Sequence, residues 1–226
     1  MADQTNIETK LFLRTKLHRP IVGKDHIHRQ HLLDRLNQRL YRPLTLVSAP
    51  AGYGKSTLIS VWLDTNDIPG AWLSLDEHDN DLRQFLIGFL MSVQTLFPDM
   101  GRKVQEQLDG PELAPVQVLA YNLINELESI GKDFILVLDD FHCIHEKSVY
   151  ALLQEVLKHP PQFLHIVLVS RKDPSLPLSS LRALDRLTEV RTHDLRFTDS
   201  EVHAFLKLTL AHQIEKTTAM AVAKKT

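Results

Sequence analysis

Residues 46–57 read LVSAPAGYGKST, and this stretch carries the strongest structural signal in the chain. An apolar run typical of a strand breaks into a loop that contains Gly52 and Gly54, and the helical pattern LISVWL follows the loop. Residues 49–56 match the phosphate-binding pattern A-x-x-x-x-G-K-S, which requires this order of strand, loop and helix. We therefore predict a phosphate-binding loop here, with a plain strand-to-helix turn as the alternative.

Each position of this loop has a physical task. Gly52 and Gly54 permit backbone angles that a side chain would block, so that successive N–H groups can point at phosphate oxygens. Lys55 would bridge the β- and γ-phosphates, the Ser56 hydroxyl would ligate Mg²⁺, and Thr57 would lie under the α-phosphate. We expect the Lys55 side chain to face solvent when no ligand is bound. The predicted nucleotide-binding residues of the loop are Ala49, Pro50, Ala51, Gly52, Tyr53, Gly54, Lys55, Ser56 and Thr57.

Apolar strand candidates recur along the chain, and helical patterns separate them. FILVL (134–138) and IVLV (166–169) are continuously apolar rather than alternating, which is typical of strands that helices cover on both faces of a parallel sheet. This pattern predicts an α/β layered domain. The predicted strands are 44–48, 71–75, 134–138, 165–169 and 188–192.

Helix signals agree with this architecture. Apolar residues at helical spacing over 116–130 lie between Pro115 and Gly131, which are typical of a helix start and end. A second apolar stripe covers 85–97, and the capping-box spacing of Thr198 and Glu201 predicts a helix through about residue 210. We divide the chain into an N-terminal segment with a lead-in helix (1–40), a nucleotide-binding core (41–197) and the start of a helical segment (198–226).

Polar residues follow two of the apolar strands at the edge where open α/β sheets place their ligands. Asp139 would hold Mg²⁺, and Asp140 would polarise an attacking water, although either aspartate could instead cap a turn. Arg171 follows the fourth strand and could reach a γ-phosphate, with a surface ion pair as the alternative.

Composition sets further limits. The 226 residues are 43% hydrophobic and 24% charged, enough for one large domain or for one domain with a small appendage. A net charge of −2 argues against nonspecific electrostatic binding to a nucleic acid backbone. The polar start, the lack of a bilayer-spanning apolar run and the single Cys143 lead us to expect a cytoplasmic location without membrane contact.

Six ordered segments together resemble the nucleotide-binding domain of the large ATP-dependent LuxR-type transcriptional activators. These proteins are signal-transduction ATPases with numerous domains, which are related to AAA+ proteins. The resemblance covers roughly residues 10–226. The segments are TKLHRP, LTLVSAPAGYGKSTL, WLSLDEHDND, FILVLDDFH, LVSRKDPSLPLSSLRA and HDLRFTDSEV.

The resemblance implies a P-loop NTPase fold, in which helices sandwich a five-stranded parallel sheet of order 5-1-4-3-2. It implies ATP and Mg²⁺ as ligands, weak ATPase activity, and self-association in the ATP state. It also implies the following roles: Walker A for Lys55 and Ser56, Walker B metal binding for Asp139, the adjacent acid for Asp140, the sensor arginine for Arg171, and a place near the base or sugar for Arg29.

Members of this family are far longer than this chain and continue with a winged-helix segment, a helical-repeat sensor that binds an inducer, and a DNA-binding helix-turn-helix. The pattern near Thr226 ends without a cap, so we expect the chain to be a fragment. Contacts with DNA and with a small-molecule inducer are expected only through those further parts.

Two other functions remain open at this point. One is a kinase-like or transport-type NTPase that acts on its own, and the other is a module that binds ATP without turning it over. A zinc site is not expected at the clustered histidines, because neither cluster has a second ligand pair at zinc spacing. These clusters are His26, His28 and His31, and His142 with Cys143 and His145.

Overall fold

Five parallel strands form the centre of the molecule, and helices pack on both faces of their sheet. The computed structural model describes residues 12–23, 26–38 and 40–206. The strands are β1 (Leu44–Ser48), β2 (Gly70–Ser74), β3 (Phe134–Asp139), β4 (Leu164–Ser170) and β5 (Leu187–Arg191). The helices are α1 (Gln30–Asn37), α2 (Lys55–Asp64), α3 (Leu82–Gln94), α4 (Arg102–Leu108), α5 (Val116–Ser129), α6 (Lys147–Lys158), α7 (Leu178–Ala183) and α8 (Thr192–Leu195).

The strand order is β2-β3-β4-β1-β5, and all neighbouring strands are parallel. This order is 5-1-4-3-2 counted from the other edge of the sheet, so the predicted topology and fold class are confirmed. Ser48 at the end of β1 is the register partner of both Ser170 and Arg191. The ends of β4, β1 and β5 therefore lie side by side, at the edge of the sheet where the chain enters the glycine loop.

All five predicted strands form, with ends that shift by one residue for β2, β3, β4 and β5. Both faces of the sheet are buried, which explains the continuous apolar runs. Leu46, Leu136 and Leu168 pack in the core beneath α3, α4, α5 and α6. Val47 and Val167 point the other way and pack with α1 and α2.

Helix boundaries follow the local signals. Helix α5 ends just before Gly131, which has a left-handed φ of 62°. The Thr198 N–H donates to Glu201 Oε2 at 2.8 Å and the Glu201 N–H donates to Thr198 Oγ1 at 3.3 Å, so the expected capping box forms. Residues 199–206 are helical. The rest of the helix predicted through 210 and the tail to Thr226 lie outside the described residues, and the three-part division of the chain stays a prediction.

None of the helices in the described part of the chain combines the length and apolar character needed to cross a bilayer.

A buried histidine lies between β4 and β1, near their first residues. His165 is 5% exposed, its Nδ1 donates to the Arg42 carbonyl at 2.6 Å, and its Nε2 accepts from the Thr45 hydroxyl at 2.9 Å. This pairing suits a neutral ring, and burial lowers the pKa of His165 from 6.5 to about 4.

We expect His165 to make the protein less stable in mild acid. Between pH 6.5 and about 4 the unfolded chain binds a proton that the folded chain excludes. The free energy of unfolding therefore falls as the pH is lowered through this window, by about 3 kcal/mol in total. Urea unfolding at several pH values would measure the slope. His165→Asn should flatten it, and His159→Asn, at an exposed position, should not. An unchanged slope in His165→Asn would contradict this assignment.

Candidate functional site

The glycine loop joins β1 to α2 through two left-handed residues. Gly52 has a φ of 84° and Gly54 a φ of 72°. A Cβ atom at either position would meet no atom within 4 Å, so the backbone angle and not crowding requires glycine. These two turns bring the chain round into α2 at Lys55.

The first turn of α2 follows this loop without a capping side chain. Gly54 is the N-cap residue and makes no side-chain cap hydrogen bond. The first N–H groups of a helix have no acceptor within the helix, and the helix dipole adds positive potential at this end. A ten-residue helix that begins at a glycine loop can therefore receive an anion.

Lys55 is buried in this loop. Its residue surface is 8% exposed, and its Nζ donates to the Pro50 carbonyl at 3.0 Å. Burial lowers the pKa of Lys55, while the charges of Asp140 and Asp139 act to raise it. The expectation of a solvent-facing lysine is wrong, because the loop carbonyl offers the amine a partner inside the turn.

Ser56 and Asp139 come together across two elements that are 83 residues apart in the chain. The Ser56 hydroxyl donates to Asp139 Oδ1 at 3.0 Å. Neighbouring oxygens in an octahedral Mg²⁺ shell are also about 3 Å apart, since each lies about 2.1 Å from the ion. The spacing and the oxygen donors therefore fit Mg²⁺.

Asp139, the last residue of β3, is 5% exposed. The pKa of Asp139 is raised overall. Burial is the largest cause and the Asp140 charge adds to it, while the hydrogen bond from Ser56 acts in the opposite direction. A buried carboxylate next to a second carboxylate is costly without a compensating cation. The electrostatics of the pair therefore also fit a divalent cation.

Asp140 leaves the strand in a left-handed conformation, with a φ of 54°. Its N–H donates to Asp139 Oδ1 at 2.9 Å, and its side chain is 48% exposed. Its Oδ1 lies 3.7 Å from His142 Nδ1, too far for a good hydrogen bond. The carboxylate is thus available to a reacting group on the open side of the strand end.

Arg171 directly follows β4, and its side chain is exposed. Its positive charge acts, after burial, to lower the pKa of both Lys55 and His142. No other residue in the described ranges forms a hydrogen bond or an ion pair with this side chain. The guanidinium is therefore positioned to receive an anion at the open edge of the sheet.

His142 lies beside Asp140, and sequence reasoning does not predict it as a residue of the nucleotide site. His142 Nδ1 is buried and has no hydrogen-bond partner among the residues described by the structure. Burial lowers the pKa of His142, whereas the Asp140 charge acts to raise it. Its place two residues after Asp140 in the FILVLDDFH segment was the available signal.

No group of three or more His, Cys, Asp or Glu side chains in the described ranges could hold a metal ion.

A cavity of about 600 Å³ opens beside the glycine loop. Five of the lining residues come from the loop and the start of α2, namely Ala51, Gly52, Tyr53, Gly54 and Thr57. The other walls are mostly apolar and include His26, Ile27, Leu195, Phe197 and Val202. Leu195, Phe197 and Val202 lie in the HDLRFTDSEV segment, but nothing in that segment by itself indicates that they line a cavity.

Arg29 lines this cavity, but its guanidinium is hydrogen-bonded to other residues of the protein. Its Nε donates to Glu201 Oε1 at 3.0 Å, and Nη1 and Nη2 donate to the carbonyls of Leu195 and Arg196 at 2.9 and 2.8 Å. The guanidinium carbon lies 5.3 Å from the centre of the Phe197 ring. Arg29 therefore joins the start of α1 to the segment after β5, and its contact with a base or sugar stays a prediction.

Sequence comparison relates the chain to transcriptional regulators, although no family model matches it. It is 31% identical over 206 residues to the HTH-type transcriptional regulators MalT of Yersinia pestis (strain Pestoides F) and Klebsiella pneumoniae subsp. pneumoniae. Each match covers 91% of this chain and 23% of the relative. The chain thus spans about a quarter of the length of these curated relatives.

Structure comparison finds the same fold in a signal transduction ATPase with numerous domains (STAND) that carries a tetratricopeptide repeat sensor, from Pyrococcus horikoshii. The TM-score is 0.55 at 15% sequence identity, and the match covers 85% of this chain and 26% of the other. At this identity the likeness establishes the fold alone.

Proposed function

Because this chain is a homologue of the MalT-type transcriptional regulators and has the fold of a signal transduction ATPase, we propose that it is the ATP-binding switch domain of such a regulator. One observation carries the proposal. The Ser56 hydroxyl and the buried Asp139 carboxylate meet at 3.0 Å beside a left-handed glycine turn at the start of a ten-residue helix. Together these features offer oxygen ligands to a metal and N–H groups to a polyphosphate.

The chain's own groups divide the work of binding. The loop amides and Lys55 hold the β- and γ-phosphates, and Ser56 and Asp139 hold the Mg²⁺ ion. When bound, Mg²⁺ neutralises phosphate charge. The cavity of about 600 Å³ beside the loop takes the base and sugar, and its size lies within the range of small-molecule sites.

We expect slow hydrolysis because the two groups that would act on the γ-phosphate are solvated. Asp140 orients the attacking water and accepts its proton, while Arg171 stabilises the charge that develops on the γ-phosphate. Asp140 is half exposed and Arg171 is exposed. Solvated groups contribute less to the transition state than desolvated, preorganised ones, so we expect turnover to be slow.

The switch acts through affinity that differs between two conformations. We propose that the ATP state favours self-association and that hydrolysis resets the protein in the cytoplasm. A small-molecule inducer and DNA are partners through the parts of a MalT-type regulator that this chain does not span.

The Mg²⁺ dependence of ATP binding tests this proposal. We expect Mg²⁺ to strengthen ATP binding to the wild-type chain, and Ser56→Ala to reduce that gain about tenfold by removing one oxygen ligand. Calorimetric titration with ATP, in Mg²⁺ and in a chelator, gives both affinities.

Ser129→Ala is the matched control, since this serine lies at the end of α5 and bonds only locally, to the Glu126 carbonyl. Mg²⁺ should increase the ATP affinity of this variant as much as it does that of the wild type. A wild-type chain that does not bind ATP would contradict the proposed function. A Ser56→Ala variant with the full Mg²⁺ gain would contradict the proposed metal site.

A further inference from the structure

Asp173 joins the ends of three strands. It lies on the loop after β4, and its Oδ1 accepts from the Ser48 hydroxyl at 3.1 Å and from Arg191 Nη1. Ser48 is the last residue of β1, directly before the glycine loop, and Arg191 is the last residue of β5. A single carboxylate oxygen thus ties the loop that carries Arg171 to β1 and β5.

A larger network holds Arg191 in place. Arg191 Nε donates to Glu189 Oε1 at 3.0 Å. Arg182 donates two hydrogen bonds to the same carboxylate, of 2.7 and 3.0 Å. The hydrogen bond from Arg182 is the largest cause that lowers the pKa of Glu189 to about 2, and Arg191 adds to it. Isolated surface ion pairs contribute little, but a connected network with bidentate contacts can hold a side chain in one geometry.

The Arg171 side chain is exposed and has no bonding partner of its own in the described ranges. Within the loop, Ser170 Oγ accepts from the Lys172 N–H at 3.3 Å, which shapes the turn locally. Asp173 adds a side-chain link from this turn to the ends of β1 and β5. Without that link, the backbone around Arg171 would have to be ordered together with its side chain when an anion binds, at an added entropic cost.

We propose that Asp173 is a positioning residue that holds Arg171 where it reaches a γ-phosphate, and that it thereby sets the preference of the site for ATP over ADP. The inference rests on the proposed function, since it needs a nucleotide in the glycine loop. The start of that loop is held independently of Asp173 by the Ala49 N–H, which donates to the Ser170 carbonyl at 3.3 Å. Contacts to the α- and β-phosphates should therefore survive the loss of Asp173.

The test compares dissociation constants for ATP and ADP, measured by calorimetry in Mg²⁺ on the whole chain. Asp173→Ala should weaken ATP binding about tenfold, as expected for one lost charge-assisted contact, and leave ADP binding within about twofold. Asp173→Asn should stay within about threefold of the wild type for ATP, because its side-chain oxygen can still accept from Ser48 and Arg191.

Two further variants separate positioning from stability. Asp185→Asn changes another exposed aspartate that pairs with an arginine, Arg42, and should leave the ATP-to-ADP ratio unchanged. Arg171→Ala should lose the same preference, and the double variant with Asp173→Ala should bind ATP no more weakly than Arg171→Ala alone. Such non-additivity is expected only if Asp173 acts through Arg171.

Each outcome decides something. The inference is overturned if Asp173→Ala keeps the wild-type ratio, weakens ATP and ADP equally, or adds its full effect to that of Arg171→Ala. If Arg171→Ala itself keeps the ratio, the proposed role of Arg171 fails and the inference with it. A wild-type chain that binds neither nucleotide would overturn the proposed function as well.

Discussion

Lys55→Ala is expected to weaken the binding of Mg-ATP about a hundredfold or more and to leave the fold intact. The amine already lies inside the glycine loop, where it donates to the Pro50 carbonyl at 3.0 Å. When a triphosphate binds, this cation exchanges one neutral acceptor for charged phosphate oxygens. Each charge-assisted hydrogen bond contributes about 1.5–3 kcal/mol, so the loss of two gives the expected factor.

Calorimetric titration with ATP in Mg²⁺ and thermal unfolding would measure the two effects separately. Lys147→Ala is the matched control, because Lys147 is also the first residue of a helix but is exposed and distant from the loop in sequence. It should bind ATP as the wild type does. If Lys55→Ala bound Mg-ATP within about threefold of the wild type, the assignment of the phosphate site would be wrong.

Asp140→Asn is expected to reduce ATP hydrolysis about a hundredfold or more and to preserve ATP binding. The amide has the shape of the carboxylate but cannot accept a proton from water, and the loss of a general base typically costs about 10²–10⁴ in rate. Asparagine also tolerates the left-handed φ of 54°, whereas alanine would strain the backbone there. Asp139 keeps its carboxylate, so metal binding should persist.

Single-turnover hydrolysis of radiolabelled ATP gives the rate, and titration gives the affinity. Asp133→Asn is the control, since this exposed aspartate precedes the opposite end of the same strand. Wild-type hydrolysis in Asp140→Asn would refute the role of Asp140. A wild-type chain that binds ATP but turns over none would identify a binding module without catalysis.

Much of the fold could be predicted because its signals are local. Strands buried on both faces are continuous apolar runs, as in FILVL at 134–138, and helix ends carry their own markers, such as Gly131. The strand order did not come from these patterns. It came from the resemblance of six segments to a known family, and the observed order confirms it.

The contact between Ser56 and Asp139 could be anticipated although 83 residues separate the two. Asp139 ends β3 and Ser56 begins the helix that follows β1 and its loop, and the carboxyl ends of parallel strands meet at one edge. Arg29 and Glu201 are 172 residues apart and neither ends a strand, so no sequence pattern pointed to their contact. The same applies to Asp173, whose partners are known only once β4, β1 and β5 lie side by side.

The sequence by itself determined the elements, the glycine turn and the acids at the end of β3, because backbone angles and apolar periodicity depend on near neighbours in the chain. Only the tertiary structure decided the burial of Lys55, the walls of the cavity and the tether of Arg171. These features depend on which segments, distant in the sequence, come into contact. Packing across the whole sheet determines those contacts, and local preferences do not.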